Sequence, residues 1–212
     1  MALAKAPFKL IGGKYYLSRW IRSYFPPHQT YIEPFGGTGV VLLGKTPSAI
    51  EIFNDLNADL TNFYRCCQDR YEEVVNRYTR LGPLNVRFFE EWSRGKRPRD
   101  KIDRAAKWLY LRRGSFSGKM DGYTPTTNNT GFNRVRDIEF AYKRLGNVLI
   151  ENREYQVCIK RYIGRGKPVL VYADPPYYGV DYYKFNFTEE QHAEMVSFLK
   201  TIDALVIVSY ND

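Results

Sequence analysis

Apolar positions along this chain alternate between two periods. Val169-Leu170-Val171-Tyr172-Ala173 is a continuous apolar run, the pattern of a strand covered on both faces of a parallel sheet. Further strand-like segments occur at Thr30–Glu33, Ala49–Asn54, Val148-Leu149-Ile150-Glu151-Asn152 and Leu205-Val206-Ile207-Val208. Helical spacing fills the intervals. It predicts helices over Lys14–Phe25, stopped by Pro26-Pro27, and over Ala58–Leu81, stopped by Gly82-Pro83. From there to about Gly146 the pattern is helical, then loop-rich, then helical again. Further helices are expected over Glu154–Ile163 and from Thr188 to about Lys200, the second opened by a capping box in which Gln191 stands three residues after Thr188. Strand alternating with helix implies an α/β fold with a doubly wound, mostly parallel sheet. The expected division is 1–81, an inserted segment 82–147, and 148–212.

Open sheets of this kind bind ligands beyond the carboxyl ends of their strands, so the residue after each strand carries the chemistry. Asp174-Pro175-Pro176-Tyr177 ends the run Val169–Ala173: an acid, a turn stiffened by two prolines, then an aromatic ring. Alone, such an Asp reads equally well as a helix cap. Glu33-Pro34-Phe35-Gly36-Gly37-Thr38-Gly39 follows the first strand and leads into Val40-Val41-Leu42-Leu43, a glycine-rich turn into a helix. Its spacing is not GxGxxG, and no Gly-Lys-Ser/Thr follows, so a P-loop is not supported. Asn54-Asp55 ends the second strand, where an acid commonly holds ribose hydroxyls.

Together these segments give the chain a resemblance to the DNA adenine-N6 methyltransferases of the Dam-like D12 class. Phe8-Lys9-Leu10-Ile11-Gly12-Gly13-Lys14-Tyr15 resembles that family's amino-terminal cofactor motif, Glu33–Gly39 its methionine-binding loop, and Asn54-Asp55-Leu56-Asn57 its ribose motif. Asp174–Tyr177 resembles the catalytic motif, and Ser209-Tyr210-Asn211-Asp212 the strand end that follows it. The order of the motifs is that of the alpha group. The resemblance implies a Rossmann-like S-adenosylmethionine-dependent methyltransferase with an inserted helical and loop-rich target-recognition subdomain, acting on double-stranded DNA. It implies catalytic roles for Asp174, Pro175, Pro176 and Tyr177. Cofactor contacts are expected from Leu10, Gly12, Gly13, Lys14, Glu33, Pro34, Phe35, Gly36, Gly37, Gly39, Asp55 and Asp174. The amine of a flipped-out adenine would donate to the Asp174 carboxylate and the Pro175 carbonyl, with Tyr177 stacked on the base. A cognate restriction endonuclease is the partner class such an enzyme admits.

Composition adds direction. The formal net charge is +9, and between Arg94 and Arg136 twelve Lys and Arg face three Asp. A charge so concentrated suits a polyanion, bound mainly through phosphates and weakened by salt. The same segment carries polar and aromatic loops, Gly114-Ser115-Phe116-Ser117-Gly118-Lys119-Met120 and Tyr123-Thr124-Pro125-Thr126-Thr127-Asn128-Asn129. Arg112, Arg113, Ser115, Lys119, Asn128, Asn129 and Arg134 are therefore the expected DNA contacts, and an aromatic there could fill the gap left by a displaced base. The three cysteines and two histidines have no metal-ligand spacing, so no metal site is expected, and His28 and His192 read as surface or structural residues. No apolar run reaches membrane-spanning length and no secretory signal opens the chain, which points to the cytoplasm of a bacterium or a phage-infected one.

The departures from the family pattern are expectations too. Leu111-Arg112-Arg113-Gly114-Ser115-Phe116-Ser117-Gly118 stands where relatives carry other polar residues, so the target sequence is open. The chain ends just after its last strand, which reads as a truncated product, a sheet whose remaining strands are supplied elsewhere, or a sheet short on one edge. A catalytically inactive relic that only binds DNA is the alternative function, and transfer to cytosine or to a protein glutamine the nearest alternative chemistry.

Overall fold

The computed structural model describes residues 6–124, 135–164, 166, 168–179 and 186–210. Five strands, β1 (Thr30–Glu33), β2 (Ile50–Asn54), β3 (Val148–Glu151), β4 (Val169–Ala173) and β5 (Leu205–Val208), form one sheet in the order β3-β2-β1-β4-β5. Every pairing is parallel, with Ile32 opposite Ile52 on one side and Val171 on the other. The sheet thus realises the α/β class expected from the alternation. Because β1 and β4 are covered on both faces, all of their residues are buried, as the unbroken apolar runs require.

The two-residue period of a strand sends alternate side chains into two cores. Tyr31, Phe53, Leu170 and Tyr172 point to one face, where they meet α2 (Val40–Gly44), α3 (Ala58–Asp69), α4 (Tyr71–Arg80), α6 (Lys101–Arg113) and α7 (Val135–Leu145). Ile32, Ile52, Val169, Val171 and Ala173 point to the other, under α8 (Tyr155–Tyr162) and α9 (Glu189–Thr201). The chain winds outward from β1 to β2 and β3, then returns to the far side of β1 for β4 and β5. The carboxyl ends of β1 and β4 therefore flank the point where the winding reverses, the usual ligand crevice of such sheets.

Two helices differ from the periodicity. The segment 58–81 is two helices, α3 and α4, broken at Arg70, whose φ of −140° and ψ of 45° are not helical. Apolar spacing continues across the break, with Val74 and Tyr78 still facing the core, so the kink leaves no trace in the pattern. Near the amino terminus the helix is only α1 (Ser18–Ser23). A turn closed by Gly13 N–H on the Leu10 carbonyl (3.1 Å) keeps Lys14 out of it. The capping box at Thr188 forms as expected: Thr188 Oγ1 accepts from Gln191 N–H (3.3 Å), and Gln191 Oε1 accepts from Thr188 N–H (2.9 Å).

Within 82–124, α5 (Val86–Arg94) and α6 precede a short turn at Phe116–Gly118. α6 packs its Ala105, Ala106, Trp108 and Leu109 into the same core as α3, while α7 is tied to β2 by Arg144, which donates to both carboxylate oxygens of buried Glu51 (2.6 and 2.8 Å). Among the described residues no helix is long and apolar enough to cross a membrane.

Candidate active site

A cleft of about 620 Å³ opens over the carboxyl ends of β1 and β4. Its lining includes Leu10, Gly12, Gly13, Lys14, Glu33, Pro34, Phe35, Gly36, Gly37, Asp55, Asp174 and Pro176, so the structure brings nearly all of the expected cofactor and catalytic positions together. Gly39 lies just behind, as the N-cap of α2 with φ of 64°.

The glycine loop is shaped by what its residues lack. A Cβ on Gly36 would stand 2.3 Å from the ring of Phe53, which is fixed in the core, and Gly37 has φ of +50°. Gly36 N–H donates to the Asn54 carbonyl (2.7 Å), and Gly37 N–H to Asp55 Oδ2 (2.9 Å). Asp55 Oδ1 accepts from Asn57 N–H (2.8 Å). Asp55 is therefore a brace for the loop; each carboxylate oxygen also keeps a lone pair for an incoming hydroxyl. Burial raises its pKa, opposed by those two amides and by the Arg112 charge.

At the other lip Asp174 is gripped on a single oxygen. Its Oδ1 accepts from Lys14 Nζ (2.8 Å), Ser209 Oγ (2.7 Å) and Tyr177 Oη (3.1 Å). Oδ2 accepts from none of the described residues. Lys14, only 8% exposed, also donates to the Gly12 carbonyl (2.8 Å) and sits 4.7 Å from the centre of the Tyr177 ring. Burial disfavours its charge, but Asp174 and Tyr177 more than offset that, and its pKa lies above the ordinary lysine value. Tyr177 thus has one ring face partly occupied by an ammonium group and its hydroxyl committed to Asp174.

Glu33 is buried beneath the cleft floor, where its Oε2 accepts from Tyr31 Oη (2.8 Å) and Leu42 N–H (3.1 Å). Burial pushes its pKa to about 8, with the Asp174 charge adding to the rise and the two hydrogen bonds and Lys45 opposing it. A carboxyl that keeps its proton longer in the folded than in the unfolded state stabilises the fold fully below about pH 4.5. That contribution is lost as pH rises toward 8. Unfolding free energy should therefore fall by on the order of 2–4 kcal/mol across this window. In Glu33→Gln, which keeps the shape and the acceptor, denaturant titrations at pH 5 and pH 8 should show that slope flattened; an unchanged slope would refute the assignment.

The expected DNA contacts separate in space. Arg112 lies in the cleft wall, donating to the Gly118 carbonyl, with its guanidinium 5.0 Å from the Trp108 ring centre and its pKa lowered to about 10 by burial. Arg113 Nε donates to the Pro7 carbonyl (2.9 Å), and its guanidinium stacks over Tyr78 at 5.1 Å. Ser115 is buried, accepting from Met120 N–H (3.1 Å) and pairing with Tyr123 in an isolated bridge. These three hold the 114–124 loop against the amino-terminal segment, where a Cβ on Gly118 would strike the Lys9 carbonyl at 2.1 Å. Lys119 is exposed at the cleft rim beside Met120, the one described non-glycine residue with left-handed φ (67°). Phe116 projects into solvent, 66% exposed. Asn128, Asn129 and Arg134 lie outside the described residues, as do Asn211 and Asp212.

Four site residues had no individual role in the sequence reading. Asn54, fully buried, donates to the carbonyls of Pro34 (2.8 Å) and Arg153 (3.0 Å) and accepts from Arg153 N–H (2.9 Å), clipping together the ends of β1, β2 and β3. Ser209 holds Asp174. Tyr155 and Phe187 line the cleft with Phe35, their rings 5.2 and 5.7 Å from its own. An amide ending a strand was the available signal for Asn54; Phe187, far along the chain, had none.

The family model described as D12 class N6 adenine-specific DNA methyltransferase matches residues 10–212. Over 91% of its length the chain is 27% identical to a DNA N-6-adenine-methyltransferase of Escherichia phage P1, of which it covers 27%. It is 25% identical to the type II methyltransferase M.CviBI of Paramecium bursaria Chlorella virus NC1A, covering 91% of this chain and 77% of that one. To the type II methyltransferase M1.LlaDCHI of Lactococcus lactis subsp. cremoris it is also 25% identical, over 81% of this chain and 65% of the relative.

Proposed function

From the premise that this chain belongs to the family of D12 class N6 adenine-specific DNA methyltransferases, we propose that it methylates the exocyclic amine of an adenine displaced from duplex DNA. One observation supports the reading: the Asp174 carboxylate lines the cleft with Oδ1 taken by three donors, while Oδ2, which has no donor among the described residues, is the acceptor proposed for a substrate N–H.

When bound, S-adenosylmethionine supplies an electrophilic methyl group. The cleft suits it: the glycine cradle admits close approach, Asp55 keeps lone pairs for ribose hydroxyls, and Phe35, Tyr155 and Phe187 offer an apolar wall. Asp174 does the orienting. An adenine amine is a poor nucleophile because its lone pair is delocalised into the ring; a hydrogen bond to Oδ2, with a second to the Pro175 carbonyl, favours a pyramidal nitrogen. Lys14, Ser209 and Tyr177 fix the rotation of that carboxylate, so the acceptor is in place before the base arrives. Base displacement costs a few kcal/mol. Phe116, exposed on a loop pinned by Arg112 and Ser115, is placed to fill the vacated stack. Lys119 and the exposed basic side chains of 94–101 are the phosphate contacts of this reading, which supports a DNA-facing role for the 82–147 segment. Arg97 is partly spent on Asp59 (2.8 Å), so fewer cations face DNA than the sequence suggests.

The deciding experiment is incubation of labelled S-adenosylmethionine with unmethylated DNA, followed by digestion to nucleosides. Label in N6-methyladenine is expected. Label in cytosine, or DNA binding without any transfer, would overturn the reading. Lys14→Met, which keeps the aliphatic stem but removes the charge-assisted bond to Oδ1, should lower turnover roughly 10- to 100-fold. An unchanged rate at saturating substrates would show that Ser209 and Tyr177 suffice to hold the carboxylate.

A further inference from the structure

The turn that follows the catalytic strand is tied down by a contact outside the scheme above. Prolines 175 and 176 have no N–H to donate, so the tetrapeptide is held mainly at its ends. At one end Asp174 is gripped through its side chain. At the other, Tyr178 N–H donates to Tyr210 Oη (3.2 Å). Tyr210 Oη in turn lies 3.1 Å from Nδ1 and 3.3 Å from Nε2 of His192 on α9. The preceding residue, Ser209, is anchored to β4 by its own N–H on the Ala173 carbonyl (2.9 Å), so Tyr210 stands on a fixed base. Its ring also packs 5.3 Å from that of Tyr177.

We propose that Tyr210 and His192 are positioning residues, a latch that fixes the Tyr177-Tyr178 turn and through it the geometry of Asp174. The inference rests on the methyl-transfer reading. Tyr210 Oη accepts from the Tyr178 amide, which leaves its proton for an imidazole nitrogen of neutral His192. The Phe187 and Tyr178 rings stand 5.3 and 6.1 Å from the imidazole, and burial lowers its pKa below the usual value. What the latch protects is a soft contact. Tyr177 Oη reaches Asp174 Oδ1 at 3.1 Å, the longest of the three bonds that set the carboxylate, and it moves with the turn. His192 has no hydrogen bond to the carboxylate, and its ring also packs against cleft-lining Phe187, so His192→Phe, which keeps a ring there, isolates the path through Tyr210.

The test uses the full chain. Tyr210→Phe and His192→Phe keep both rings and remove the bond; kcat should fall roughly tenfold or more, while KM for S-adenosylmethionine changes by less than about twofold. His192→Gln, whose amide oxygen can accept the same proton, should restore most of the rate. The ring-nitrogen chemical shifts of His192 should move in Tyr210→Phe, with His28, the only other histidine, as an unmoved reference. Wild-type turnover in both Phe variants would overturn the latch and leave the methyl-transfer reading standing, since Asp174→Ala tests that separately. A rate loss that Gln does not restore, with unmoved nitrogen shifts, would reduce His192 to packing and overturn the proposal too. If the unmodified protein methylates no adenine, the functional reading fails and the latch falls with it.

Discussion

Asp174→Ala is expected to lower methyl transfer by roughly 10²–10³-fold or more, because it removes the acceptor that orients the nucleophile. Stability should fall as well. Lys14 is 8% exposed, and without Asp174 it keeps a buried charge facing only neutral groups, the Gly12 carbonyl and the Tyr177 side chain. An uncompensated group of this kind costs about 1–3 kcal/mol, a drop of several degrees in Tm for a chain of this size. Asp174→Asn separates the two effects. Its single carbonyl oxygen would turn toward Lys14, Ser209 and Tyr177, leaving an NH₂ to face the substrate amine, donor against donor. The Asn variant should therefore melt closer to the unmodified protein than Ala does, yet transfer methyl no better. Parallel thermal melts and label-transfer rates make the comparison. Turnover in the Ala variant within threefold or so of the unmodified rate would remove Asp174 from the mechanism.

Gly36→Ala is the second large effect, expected in cofactor affinity. The added methyl would lie 2.3–2.8 Å from three carbons of the Phe53 ring. That ring cannot retreat, since it is 1% exposed and packed edge-on against Tyr64 at 5.1 Å. The loop must move instead. Overpacking of this kind costs about 1–3 kcal/mol. Displacement also breaks the Gly36 N–H bond to Asn54 and the Gly37 N–H bond to Asp55, which set the cradle. Calorimetric titration with S-adenosylmethionine should show affinity weakened by roughly tenfold or more, since each ~1.4 kcal/mol transferred to the bound state is a factor of ten. Unaltered affinity with a lowered Tm would mean that the strain is absorbed in the core and that the loop does not cradle the cofactor.

Much of the site was legible because its chemistry is local. Each motif is a strand end read with the residues that follow it: Glu33 with the glycines, Asn54 with Asp55, Ala173 with Asp174. Apolar runs placed β1, β4 and β5 to the residue; β1 and β4 are buried on both faces, the condition such runs record, whereas β5 is a partly exposed edge strand. The break at Arg70 was invisible for the opposite reason. Both halves of the segment present the same apolar face, so the period never changes where the backbone does.

The sequence by itself therefore determined the parallel α/β architecture, the position of the crevice and the acid at its lip. Only the tertiary structure decided what holds that acid and which arginines are engaged within the fold. Lys14, Ser209, Tyr210 and His192 reach the Asp174–Tyr178 turn from the amino-terminal segment, from the end of β5 and from α9. Arg112 and Arg113, expected as DNA contacts, are also engaged within the fold, donating to the carbonyls of Gly118 and Pro7. The physical reason is range. Periodicity and turn chemistry record what a residue does to its own backbone and its immediate face. A side chain's partner across the fold depends instead on strand order and crossover, and no local pattern in the chain encodes those.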